Sequence, residues 1–418
     1  MEINNFGVNF NETNLVNGVK LYSFYKLNSP IYFRVFFYAG SQFDGDKPGL
    51  AHFCEHIMIS GTEKYPTRII LNEKIQESGI RSNAFTNVKN LWLTFDLADK
   101  ADLPEMFEIT DQILNKSIFA PDTIEKERGA VLAEQTRNTS NPSQYINVLQ
   151  SSLLFQGTNI ENPVLGFDES VRSITREDLL NYRDKYLSNG QVAYFISGDF
   201  DERVVAEYLN KINNNRQPIG LVKSKLPIVT EKKEFLKEVL NIEQNYVNLA
   251  TRIEPIVSNL NKVSADVFGM IFGQGNSSRL YKALRNDRGL VYGVSSGINN
   301  NSEFALLGIN TSCKVKDSTE VIKIIKDELS KIIKDGISNE ELERAKKNIL
   351  RNLRFDSETS AFWVNIKMMK ELTDSPKSIL PDEYIEIVKA ITIENVNSFT
   401  KEYLIDKELL FAGIGDFK

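Results

Sequence analysis

The sequence predicts an α+β protein made of two tandem copies of one α/β unit, each of about 200 residues. Three observations carry this reading. Residues 174–200 match residues 391–417 without a gap at an offset of 217, and both stretches close on Gly-Asp-Phe. A strand–helix–helix order precedes that match in each half. Finally, 418 residues are more than one hydrophobic core usually holds, so two domains are the ordinary outcome.

The elements follow in order. Pro30 to Gly40 is an apolar run that reads as a strand carrying Arg34. Residues 48–61 read as a helix, with Asp46 as its cap, Pro48 in its first turn and Gly61 at its end. The strand Leu91 to Leu97 leads into an amphipathic helix bearing Leu103, Met106, Phe107, Ile113 and Leu114, then a second helix from Asp122 to Arg137. The second half repeats this as strand Phe304 to Thr311, helix Ser318 to Lys334 and helix Asn339 to Arg354. The pairs Glu127-Arg128 and Glu343-Arg344 coincide at an offset of 216. Each copy of the gapless match reads as a capped helix, a turn and an apolar strand. The join falls at residues 213–233, where three asparagines, two prolines and several lysines break the periodicity. The domains are therefore expected at 1–212 and 234–418.

Composition narrows the function. A net charge of −6 gives no basic field for phosphate backbones, so no nucleic-acid partner is expected. No apolar run approaches bilayer length, so no membrane association is expected. Two cysteines cannot build a disulfide framework, and the N-terminus lacks the basic start and apolar core of a signal peptide. The expected location is cytoplasmic, unless a leader has already been removed.

The chain's only two histidines are His52 and His56. At i and i+4 on a helix, two imidazoles lie one turn apart and can chelate one ion. Leu50, Phe53, Cys54, Ile57 and Met58 form the opposite, apolar face, which makes Cys54 a buried small hydrophobe. Glu55 shares the polar face, where it can hold a water and take its proton. Further along, Glu127 and Glu134 lie two helical turns apart and so face the same way. By itself such a pair reads as a solvated acidic helix face.

His52-Phe53-Cys54-Glu55-His56, flanked by Gly49-Leu50-Ala51, Ser60-Gly61-Thr62 and Lys64-Tyr65-Pro66, resembles the inverted-zincin signature of the pitrilysin/insulinase family of metallopeptidases. The likeness covers essentially the whole chain, duplication included. The length is similar to that of the small two-domain branch, with its bacterial processing proteases and mitochondrial processing peptidase subunits. The resemblance implies half of a peptidase clamshell holding one zinc ion per chain on His52, His56 and Glu134. It implies Glu55 as the catalytic base and Glu127 as a group tuning ligand and water. The second copy has Leu350 opposite Glu134 and no histidine, so the chemistry belongs to the first copy.

The resemblance also implies where a peptide lies. Arg81 to Thr86 is similar to the family's edge strand, with Asn83 and Ala84 as contact positions, although the same residues also read as an ordinary turn and strand. Arg285 and Tyr292, after the glycine-rich stretch from Gly273, match the family's pair that steadies the substrate carbonyl. Without the likeness they read as a helix-end salt bridge and a core tyrosine. The expectation is a zinc metalloendopeptidase cutting extended peptides inside a chamber, as a homodimer or a heterodimer with a related subunit. The alternative is a catalytically silent, peptide-binding partner subunit.

Overall fold

The protein is described from a computed structural model covering residues 2–3, 5–216, 235–238, 243–301, 303–372 and 379–417. The expected join from residue 217 to 233 lies outside the described residues. The chain forms two compact units, each an α+β assembly around one sheet.

The first unit holds strands β1 (Glu2–Ile3), β2 (Val8–Asn14), β3 (Lys20–Tyr25), β4 (Ile31–Phe37), β5 (Arg81–Thr86), β6 (Leu91–Leu97) and β7 (Val192–Gly198). Their order in the sheet is β1-β2-β3-β7-β4-β6-β5. Only β3 and β7 run parallel. The second unit holds β8 (Phe235–Glu238), β9 (Gln244–Ile253), β10 (Val291–Asn300), β11 (Ala305–Lys314) and β12 (Leu410–Gly415), ordered β10-β11-β9-β12-β8. Here β8 and β12 are the parallel pair. The five strands β3-β7-β4-β6-β5 thus reappear as β8-β12-β9-β11-β10 with the same directions. The internal repeat of the sequence is a repeat of topology.

Both closing segments of the repeat begin with the same cap. Thr175 with Asp178, and Thr392 with Asn395, form reciprocal capping boxes at the helices Arg176–Tyr182 and Ile393–Tyr403. The helices Leu103–Asn115, Pro121–Ser140, Ser318–Asp335 and Asn339–Asp356 lie where the periodicity puts them, within a few terminal residues. In the second half, the strand expected from Phe304 runs from Ala305 to Lys314.

Alternation along β4 shows how the first sheet is closed. Phe33, Val35 and Phe37 point into the core shared with the helices of the first half. Arg34 and Phe36, also buried, face the other way. That second face is covered by helix Ser360–Leu372, which belongs to the far half of the sequence. Its Trp363 is 1% exposed and packs edge-on against Phe6 and beside Phe24. Asn365 accepts a hydrogen bond from Arg34 at 2.9 Å, and the Ser360 carbonyl accepts one from Ser197 at 2.5 Å. The second unit mirrors this with helix Pro142–Leu154, taken from the first half, which packs on β9 and β12. Gln150 there donates to Asn248 at 2.9 Å, and Phe155 meets Phe304 with ring centroids 4.9 Å apart.

Trp363→Ala should therefore destabilise the first unit by about 3–5 kcal/mol, the usual cost of deleting a buried aromatic. Amide exchange read by residue will show the lost protection in β2, β3 and β7, far away in sequence, if the contact is as described.

Candidate metal centre

The helix Leu50–Met58 follows β4 and packs its apolar face into the first core, with Phe53, Cys54 and Ile57 at 0–1% exposure. Its start is fixed by Asp44, not by Asp46 as the sequence suggests. The Asp44 carboxylate accepts from the Gly49 N–H at 2.7 Å and the Ala51 N–H at 2.8 Å. Gly49 itself has φ of +96°, a left-handed conformation, and an added Cβ would stand 2.9 Å from the Leu165 carbonyl oxygen. Asp44 thus reaches across the turn that glycine permits, satisfying N–H groups the first helical turn leaves open. Gly61 does not end the helix; Ile59 is its C-cap.

The polar face of this helix is also withdrawn from water. His52 and Glu55 are each 6% exposed. Burial, with the neighbouring His56 next, pushes the His52 pKa down to about 3, so this imidazole is neutral and free to ligate. Burial raises the Glu55 carboxyl above the usual range, while a bond from the Thr86 hydroxyl at 2.6 Å opposes the shift. Cys54 lies within 3.8 Å of the Leu179 carbonyl, and burial pushes its thiol well up, as befits an inert core residue.

Helix Pro121–Ser140 brings two glutamates to the same place. Glu134 Oε2 lies 3.7 Å from His52 Nε2 and 3.4 Å from His56 Nε2. One donor atom from each of the three residues falls within 4.8 Å of the others. Donors on a tetrahedral ion at about 2.0–2.1 Å would be separated by roughly 3.3 Å, so the set fits such an ion. Glu127 sits one step back, its Oε2 3.2 Å from His56 Nδ1 and 2.6 Å from the Arg68 guanidinium. Burial resists ionisation of Glu127, but the bonds from His56 and Arg68 outweigh it and hold its pKa below the ordinary value. An ionised Glu127 accepts only, so His56 carries a proton on Nδ1 and directs its Nε2 towards Glu134.

Arg68 and Thr86 are absent from the sequence-based set of site residues. Arg68 opens the helix Arg68–Glu77 and Thr86 closes β5, and neither residue type at those positions carries a recognisable spacing signal. β5 is an edge of the sheet and neighbours the histidine helix. Asn83 there is exposed, Ala84 is buried, and the Ala84 N–H meets the Asn83 amide oxygen at 2.9 Å.

Arg285 and Tyr292 belong to the second unit. The guanidinium carbon stands 5.3 Å from the centroid of the Tyr292 ring, and Nη1 donates to the Val291 carbonyl at 3.1 Å. Tyr292 is 84% exposed at the start of the edge strand β10, so it is not a core tyrosine. Among the described residues Arg285 has no carboxylate partner, so it is not a helix-end salt bridge. The pair is stacked and solvent-facing.

Fold and donor set together define the class: a duplicated α+β protein whose first unit carries an H-x-x-E-H helix completed by a glutamate from a second helix. Residues 28–168 match the family model described as insulinase (peptidase family M16), and residues 173–349 match that of the peptidase M16 inactive domain. The chain belongs to the pitrilysin/insulinase family, in its small two-domain branch. It is 26% identical over 397 residues to an uncharacterized zinc protease of Rickettsia felis, covering 93% of each chain. It is 24% identical to an uncharacterized zinc protease of Bacillus subtilis, covering 85% of this chain and 87% of the relative. The fold is shared with a peptidase M16 inactive domain structure from Pseudomonas fluorescens (TM-score 0.85, 20% identity, 97% and 98% of the two chains). A protease from Helicobacter pylori shares it equally (TM-score 0.85, 17% identity, 98% and 99%). No described helix is long and apolar enough to cross a membrane.

Asp44 gives this centre a testable pH signature. Burial raises its pKa from 3.8 to about 7 against the backbone N–H groups that pull it down. An acid whose folded pKa exceeds its unfolded one favours folding when protonated, so its contribution declines as pH rises from about 4 to about 7. In urea unfolding at a series of pH values, Asp44→Asn should flatten that decline. An unchanged slope would show that Asp44 titrates normally.

Proposed function

We propose that the chain is a zinc-dependent endopeptidase that grips its substrate as an added strand. The observation that carries this reading is the convergence of His52 Nε2, His56 Nε2 and Glu134 Oε2 beside the buried Glu55. Three protein ligands, with a position left for water or substrate, are the pattern of catalytic zinc sites. The relatives named as zinc proteases support the same metal.

Zinc held by these residues supplies a Lewis acid that polarises a peptide carbonyl and makes a water more acidic. The remaining roles fall to the chain itself. Glu127 and Arg68 fix the His56 tautomer, keeping its Nε2 available. Glu55, steered by Thr86, takes a proton from the attacking water and returns it to the leaving amine. The open edge of β5 pairs with the peptide backbone around Asn83 and Ala84, leaving side-chain pockets to choose sequence. Arg285 and Tyr292 donate to the carbonyl oxygen as negative charge develops there. In a two-fold homodimer, each chain lends that pair to its partner's substrate.

The decisive experiment is digestion of a diverse peptide library by the zinc-loaded chain, with cuts mapped by mass spectrometry and an EDTA-treated control. Cuts that vanish with EDTA support the reading. Absence of cuts from a zinc-replete chain favours the silent partner subunit.

Metal analysis separates the residues. One zinc per chain should bind, and His52→Ala or Glu134→Ala should remove it. Glu55→Gln should keep the metal yet lose about two orders of magnitude or more in rate. Glu127→Ala should weaken zinc binding by about 10–100-fold without abolishing it. Stoichiometric zinc in the His52→Ala chain would sink the site.

Mixing tests the dimer. Glu55→Gln and Arg285→Ala chains should each be nearly inactive, and equal amounts allowed to exchange should recover about a quarter of wild-type activity. If the mixture stays inactive despite proven exchange, Arg285 does not serve a partner's site.

A further inference from the structure

The two units repeat one topology but are not equally clothed. Helix Leu103–Asn115 of the first unit corresponds to helix Ser318–Asp335 of the second. Four buried residues of each coincide at an offset of 215: Leu103, Met106, Thr110 and Leu114 against Ser318, Val321, Ile325 and Leu329. In the first unit the chain runs on past β7 into helix Glu202–Asn213, whose Val205, Leu209 and Ile212 are buried. That helix lies on Leu103–Asn115. Tyr208 stacks on Phe107 with centroids 4.9 Å apart, and Asn115 donates to the Ile212 carbonyl at 3.0 Å. Just beyond the helix, Arg216 donates to the Leu187 carbonyl at 2.5 Å.

In the second unit the places of Phe107, Asp111 and Asn115 are taken by Ile322, Lys326 and Ser330, and that of Leu187 by Leu404. Among the described residues no counterpart of helix Glu202–Asn213 covers this face. An open groove of about 590 Å³ lies there, between the helix Ser318–Asp335 and residues 401–409. Its floor is apolar, formed by Leu329, Ile333, Leu404 and Leu409, with Ile405 50% exposed at its side. Its rim carries Lys326, Lys334, Lys401 and Lys407, set against only two acids, Asp406 and Glu408. None of the four lysines has a carboxylate partner among the described residues.

We propose that this groove docks an amphipathic helix of a partner protein, apolar along one face and acidic along its flanks. A helix is the occupant because a helix fills the equivalent face in the first unit of the same chain. The apolar floor accepts side chains at i, i+3, i+4 and i+7. The acidic flank follows from the excess of unpaired ammonium groups around the rim, which in an acidic protein form a local field of opposite sign. The groove is built entirely from the second unit, and this docking is independent of the hydrolytic reading of the first.

The probe is a labelled helical peptide of about 16 residues with leucines at that spacing and glutamates on both flanks, titrated by fluorescence anisotropy into full-length Glu55→Gln chain, which guards against cleavage. Saturable micromolar binding is expected. A lysine-flanked version of the same peptide should bind at least about tenfold more weakly. The exposed-residue changes Lys401→Glu with Lys407→Glu, and separately Ile405→Asp, should each weaken the acidic peptide by about tenfold or more at unchanged melting temperature. Absence of saturable binding, equal binding of both peptides, or binding that survives both variants would overturn the proposal. So would a concentration-dependent dimer dissolved by the same substitutions, which would make the face a contact between copies of this chain. Binding to anionic vesicles in place of the peptide would overturn it in favour of a membrane surface.

Discussion

One short helix, Leu50–Met58, carries three ionisable side chains into the protein interior, and much of the first unit compensates for that. Taking a charge or an imidazole out of water is costly unless partners replace the lost hydration. Each partner comes from a different element. Thr86 at the end of β5 bonds Glu55 and Glu127 on the neighbouring long helix bonds His56, while Asp44 bonds the backbone N–H groups of the helix start and His52 Nδ1 has no hydrogen-bond partner among the described residues. Arg68 in turn bonds Glu127, so the chain of compensation ends at a half-exposed guanidinium. Because the partners lie on four separate segments, the sheet and its flanking helices must all be in place before the donor atoms converge. The centre is a product of tertiary structure, although its signature is local.

That division explains what could be read from the sequence. His52, Glu55 and His56 were legible because helical spacing alone puts them on one face. Glu134 was legible only through the family likeness, since two glutamates seven residues apart on an acidic helix look the same when solvated. Arg68, Thr86 and Asp44 left no trace because their roles are set by which loop or strand end reaches the helix. The cap shows the point well: Asp44 and Asp46 lie in the same turn before the left-handed Gly49, and it is the Asp44 carboxylate that meets the open N–H groups. The elements that the sequence announced lie within a few residues of their expected places, whereas β2, β3, β9, β10 and the helices Arg68–Glu77 and Asn259–Phe272 were not read from it.

Partner choice between elements was not legible. Neither Ser360–Leu372 nor Pro142–Leu154 was read from the sequence as an element, and periodicity is in any case silent on which sheet receives the apolar face of a helix. In the event each sheet is closed by a helix from the other half of the sequence. The duplication has also diverged in chemistry and in covering. The first unit keeps the histidines and gains helix Glu202–Asn213, while the second keeps a stacked, exposed Arg285–Tyr292 pair and an open lysine-rimmed groove.

The exchanged helices have a consequence for how the protein is made. The first sheet is complete when residue 198 emerges from the ribosome, yet the side that bears Arg34 and Phe36 stays bare until Trp363 and its helix follow. The gap from residue 198 to the last first-unit residue, 369, is 171 residues. At ordinary synthesis rates of about 5–20 residues per second, that is on the order of ten to thirty seconds of exposed apolar sheet. Apolar surface left uncovered for such an interval is the kind that promotes association between unfinished chains. A message truncated between the two helices would yield a product whose first sheet lacks the cover of Trp363 on the face that bears Arg34.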